Sequence, residues 1–138
     1  MIIRPILNAI CVTAAIFTSA GAAAHGPMEI VKPTFEQTIT NLLDKSLIAV
    51  EVEYPPVAAS VPHVHVKSAF IYAYVVSGAI ESKVNDGELR VYCAGESWSE
   101  PPSASHPVGQ NVSKTEPAKL LAVFIVDGND KELTAAVT

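Results

Sequence analysis

The chain is short of cysteine: of 138 residues only Cys11 and Cys93 carry thiols. Cys11 lies in an apolar N-terminal stretch, so the rest of the chain holds one thiol, and an intrachain disulfide framework or a zinc-ribbon pair is excluded. Positive charge is also scarce, with 9 Lys and Arg against 14 Asp and Glu and a net charge of −5. That balance excludes nucleic acid and anionic lipid as natural partners. No uninterrupted apolar run reaches the roughly 20 residues a membrane-spanning helix needs, because the stretch Ile6 to Phe17 is broken by Asn8 and Thr13. Long runs at helical period, phosphate-cradling glycine loops and a Ser, His, Asp order are missing too. Nucleotide-binding enzymes and serine hydrolases are therefore unsupported.

What is present begins with Arg4, the apolar stretch after it, and the small residues Ser19 to Ala24. This pattern predicts a secretory signal over residues 1–24, with Ala22 and Ala24 supplying the small side chains a signal peptidase accepts. The expected mature chain, residues 25–138, is periplasmic or secreted and is not membrane-bound once the signal is removed. Without Arg4 it holds 8 basic against 14 acidic residues, a net of −6. Cleavage there would leave His25 as an N-terminal residue, read either as a copper-chelating amine and ring or as an unstructured terminus. The remaining 114 residues suit one domain with one modest core, about 34–127.

From Phe35 onward the apolar residues alternate in short runs punctuated by Pro, Gly, Asn and Asp, which predicts an all-β fold. The expected strands are Thr34 to Asn41, Leu47 to Tyr54, Val61 to Val66, Phe70 to Ser77, Ala79 to Val84, Glu88 to Cys93, Ser97 to Glu100, His106 to Val112 and Lys119 to Asp127. Asn85-Asp86-Gly87 predicts a hairpin turn, and Gly78 a sharp reversal. Ten prolines, clustered at predicted strand ends, favour a jelly-roll barrel with many corners. Cys93, in phase with Leu89 and Val91, is expected to be a buried thiol. Glu29 to Thr34 and Gly128 to Thr138 are expected to pack little.

The chemistry-bearing pattern is His63-Val64-His65 with His106 far downstream. Strand alternation puts His63 and His65 on one face, so both imidazoles can reach one ion while Val64 points away. A third imidazole from a distant strand would complete a facial set with open positions. The other reading of the pair is two ordinary exposed strand residues. Phe70, Tyr72, Tyr74 and Trp98 are read as core or cavity wall.

In these residues the chain resembles the small single-domain cupins. The first cupin motif has a His-x-His, a glutamate a few residues on and a closing glycine; His63, His65 and Gly78 match it. The second has a glycine, then Pro-x-Gly, a histidine and a nearby asparagine; Gly95, Pro101, His106 and Asn111 match it. The likeness spans roughly Val50 to Asp127. The motif glutamate is missing, Ala69, Phe70 and Ile71 standing where it would fall. Ser103 replaces the motif glycine, and Gln110 occupies the standard asparagine position. The resemblance implies a double-stranded β-helix, a conical barrel holding a divalent metal ion on His63, His65 and His106. Iron is the metal expected first, with manganese, nickel, copper or zinc as alternatives. It further implies Glu100, pointing inward beside the third histidine, as an acid/base or distant ligand; capping of the Pro101-Pro102 turn or a solvent-facing position is the alternative. The function it implies is a metal-dependent oxidoreductase of the dioxygenase type acting on a small organic substrate. A non-enzymatic metal- or small-molecule-binding module and a cofactor-free isomerase or lyase are the competing readings. A homodimer paired through strand edges is the implied assembly.

Overall fold

The structure, a computed structural model, describes residues 26–137. The predicted signal and His25 lie outside the described residues. Those residues form strands without helix, as the alternation predicts: β1 (Ile30–Thr38), β2 (Lys45–Tyr54), β3 (His63–His65), β4 (Phe70–Ser77), β5 (Ala79–Lys83), β6 (Arg90–Cys93), β7 (Ser97–Glu100), β8 (Ser105–His106), β9 (Val108–Asn111), β10 (Ala118–Asp127) and β11 (Thr134–Ala136). A five-stranded sheet runs β1-β2-β10-β4-β7, and two three-stranded sheets run β11-β3-β8 and β6-β5-β9. Every pairing is antiparallel.

The core follows from period-two alternation. Ile48, Val50, Val52 and Tyr54 of β2, Leu120, Ala122, Phe124 and Val126 of β10, and Ile71, Ala73 and Val75 of β4 all turn inward and are buried. Trp98 of β7 and Ile80 of β5 join them. Burial of each large aliphatic or aromatic side chain contributes about 1.5–3 kcal/mol.

The punctuation falls where backbone chemistry requires it. Gly78 has a φ of 74° between β4 and β5, and a Cβ there would lie 2.8 Å from that of Ala118. In the β5–β6 connection the positive φ belongs to Asn85, at 51°, and the Gly87 amide donates to the Val84 carbonyl. Pro33 sits inside β1, which is tolerated because β1 is an edge strand and its register shifts between Pro33 and Phe35.

One expectation is corrected. Cys93 is exposed, not buried. Tyr92 is the residue of β6 that turns inward, to pack at 4.6 Å from Trp98, so Leu89 and Val91 also face outward. The terminal segments are exposed, as expected, yet pair as strands: β1 starts at Ile30, and β11 pairs with β3 through Thr134↔His65, Ala135↔Val64 and Ala136↔His63.

Candidate metal centre

His63 and His65 share one face of β3, and the β3–β8 ladder sets His106 directly opposite His63. Directly paired residues of antiparallel strands bring their side chains within contact distance. The three rings accordingly cluster, with centroids 4.7 Å (His63–His65), 5.1 Å (His63–His106) and 6.1 Å (His65–His106) apart. One nitrogen from each lies within 4.8 Å of the other two. Nitrogens bound about 2.1 Å from one ion are at most about 4.2 Å apart, so loading would require a modest ring rotation.

The outer nitrogens are held. His63 Nδ1 lies 2.8 Å from the Val61 carbonyl and donates to it, which leaves Nε2 as the lone-pair nitrogen. His106 Nε2 lies 2.8 Å from the buried Ser82 hydroxyl, which leaves Nδ1. Anchoring of one ring nitrogen by a carbonyl or hydroxyl is the arrangement that orients a metal-ligating imidazole.

Glu100 turns inward on β7, two residues from Trp98, and is 2 % exposed. The Trp98 indole N–H donates to its Oε1 at 2.9 Å. Its Oε2 approaches His65 Nε2 to 2.9 Å, and Oε1 lies 3.7 Å from His106 Nδ1. The His65–Glu100 contact lacks hydrogen-bond alignment, so Oε2 and both nitrogens of His65 are buried without a partner. Leaving such groups unsatisfied costs about 1–3 kcal/mol each. A divalent cation among the imidazoles would take the lone pair of one His65 nitrogen, so the residues fit the group.

Burial opposes ionisation of Glu100, but the His65 contact, the charge available to His106 and the Trp98 N–H outweigh it and hold its carboxyl below the ordinary range. Burial also disfavours the imidazolium of His106; although Glu100 opposes this, its pKa falls to about 4. At neutral pH the centre therefore presents a carboxylate and a neutral His106 ring, the states that metal binding and proton acceptance need.

The histidines and Glu100 line a cavity of about 280 Å³ whose walls are apolar residues of β2, β4 and β10. Sequence reasoning missed Ser82, which no motif signals, and Tyr54, which the inward phase of Ile48, Val50 and Val52 could have placed in the wall. It also missed Gly109, where a Cβ would stand 3.3 Å from both His106 Cε1 and Tyr54 Oη. Phe70 and Tyr72 lie on the outer face of the sheet and are exposed, whereas Trp98 faces inward as expected. Asn111, matched to the second motif, is a brace: its Nδ2 lies within 3.2 Å of the Tyr54, Pro55 and Glu116 carbonyls, and its Oδ1 accepts from Ser113 N–H at 2.8 Å.

Comparison with known proteins identifies the family and the fold. Residues 50–124 match the family described as Cupin domain. Among solved structures, a Klebsiella pneumoniae protein described as having a double-stranded β-helix domain aligns with a TM-score of 0.62 at 21% identity, covering 83% of this chain and 88% of that one. A Thermus thermophilus protein aligns at 0.57 and 23% identity, over 72% and 84%. A recombinant oxalate oxidase in complex with glycolate aligns at 0.61 and 22% identity, covering 90% of this chain but 62% of that one. These likenesses are of fold. No curated protein matches the chain by sequence.

Proposed function

Because this chain belongs to the cupin family, we propose that it is an exported, metal-dependent oxidoreductase of the dioxygenase type, acting on a small organic molecule inside the barrel. The supporting observation is the buried, partnerless set of His65 nitrogens and Glu100 Oε2 beside His63 and His106, facing an apolar cavity. His63, His65 and His106 would hold a divalent ion, iron first, which when bound supplies Lewis acidity and a route to oxygen. Because the three imidazoles are neutral ligands, they would leave a charge of about +2 at the centre, which would favour an anionic enolate or phenolate oxygen.

The chain's own groups divide the remaining work. Glu100, ionised and with Oε2 beside His65 Nε2 but free of an aligned hydrogen bond, accepts the substrate's hydroxyl or carbon-bound proton. The Trp98 N–H fixes the carboxylate through Oε1 and leaves Oε2 pointed at the site. Ser82 and the Val61 carbonyl orient the rings, and the walls of β2, β4 and β10 exclude water, which strengthens every polar contact inside.

The test is metal content followed by oxygen uptake. The purified protein is expected to hold about one redox-active ion per chain and to consume oxygen with a diketone, flavonol, catechol or thiol. Bound metal without uptake across such a panel would instead support a periplasmic binding module, and absence of any metal affinity would overturn both metal-dependent forms. Glu100→Gln should retain the ion and lose turnover; loss of the ion in that variant would make Glu100 the fourth ligand.

A further inference from the structure

A second polar group faces the same cavity from the β1–β2 side. Ile30 of β1 pairs with Glu53 of β2, and one step along that register sets Glu29 opposite Tyr54. Val31↔Val52 is the next pair on that face, and Glu29, Val31, Val52 and Tyr54 all line the cavity, with Val31 at its exposed rim. Glu29 Oε2 is buried and has no hydrogen-bond partner. Beside it, the Tyr54 and Ser60 hydroxyls lie 2.8 Å apart. The Cβ position of Gly109 is 3.3 Å from Tyr54 Oη, 3.4 Å from Ser60 Oγ and 3.3 Å from His106 Cε1. The hydroxyl pair therefore sits close to the third histidine and leads away from it toward Glu29.

We infer that Glu29, Tyr54 and Ser60 form a second recognition subsite, which takes a hydrogen-bond-donating group, an ammonium or hydroxyl, on a ligand whose other end chelates at the histidines. This rests on the proposed function and deepens it by naming the substrate class. A buried carboxylate oxygen without a donor is an incomplete site, and a ligand N–H or O–H completes it. Between the two polar ends the walls are Val50, Val52, Leu120, Ala122 and Phe124, which suits an apolar body. Two carboxylates, Glu29 and Glu100, already face a cavity of about 280 Å³, so a ligand with a second acidic group meets like charge in a weakly screened space. The class selected is a small, ring-sized molecule, neutral or cationic at its second end, and dicarboxylates are rejected.

The experiment uses the full chain loaded with zinc, to keep oxygen chemistry out, and calorimetric titration with catechol, 4-(2-aminoethyl)catechol and 3,4-dihydroxybenzoate. The aminoethyl compound is expected to bind about tenfold or more tighter than catechol, the scale of one charge-assisted hydrogen bond, and the benzoate about tenfold weaker. In Glu29→Gln both differences should shrink below about threefold, with zinc stoichiometry and melting temperature unchanged. Wild-type affinities that ignore the second group, or a Glu29→Gln variant that keeps both differences, would overturn this inference and leave the metal centre standing. Failure of the wild-type chain to bind zinc or any of the three compounds would overturn the proposed function and this subsite with it.

Discussion

Ser103 holds a φ of 62°, where the Cβ of an L-residue crowds the following carbonyl at a cost of about 1 kcal/mol. Ser103→Gly should therefore raise unfolding free energy by about 1 kcal/mol and the melting temperature by about 4 °C; an unchanged or lower midpoint would show the strain to be relieved elsewhere. His106 gives a second residue-scale expectation. Its folded pKa of about 4 lies below the ordinary value of 6.5, so between those values the unfolded chain binds the extra proton. In metal-free protein, stability is thus complete above pH 6.5, falls by up to about 1.4 kcal/mol per unit toward pH 4, and loses about 3 kcal/mol in all from this group. Glu100, with its carboxyl lowered, adds a loss of the same sign as pH falls through the acid range. Urea midpoints from about pH 7 to 4 should show the slope, and His106→Gln should flatten its upper part.

At the scale of the element, Asn111 ties the end of β9 to the turn after β2 and to the Glu116 carbonyl before β10. Asn111→Ala leaves three carbonyls and the Ser113 amide without this partner and should cost about 2–4 kcal/mol, read as a lower denaturation midpoint with an unaltered slope. Much of this architecture was legible in the sequence. Phe70–Ser77 and Ser97–Glu100 fall where alternation bounded by Gly and Pro puts them. Proline explains several shifted ends. Val61 to Val66 contracts to His63–His65 after Pro62, and His106 to Val112 divides at Pro107, each proline lacking an N–H for the ladder. β1 instead starts at Ile30 and accommodates Pro33 through its bulge and edge position. Alternation reports a period and not which phase is inward; on β6 an aromatic contact chose Tyr92, and Cys93 went outward. The His-x-His and the inward register of Glu100 could be read, because they are local patterns on single strands. Tyr54 was within reach of the alternation of β2, but Ser82, Ser60 and Glu29 could not be assembled, because only pairing across the chain sets Ser82 behind His106, Ser60 beside Gly109 and Glu29 opposite Tyr54.

For the whole molecule, the centre couples ligand binding to folding. A divalent ion that binds only the folded chain stabilises it by RT ln(1 + [L]/Kd), about 2.7 kcal/mol at a hundredfold excess over Kd. Thermal melts with manganese, iron, nickel or zinc should therefore shift upward in wild type. His63→Ala and His106→Ala should remove most of that shift and lower occupancy about tenfold or more, and a shift that survives both substitutions would place the ion elsewhere. The barrel also depends on its tail more than composition suggests: β11 is hydrogen-bonded to β3, and Leu133, Thr134 and Ala136 line the cavity. Truncation after Gly128 would therefore perturb the histidine-bearing strand itself. A chain lacking residues 129–138 should yield preparations poorer in zinc than the chain that keeps them.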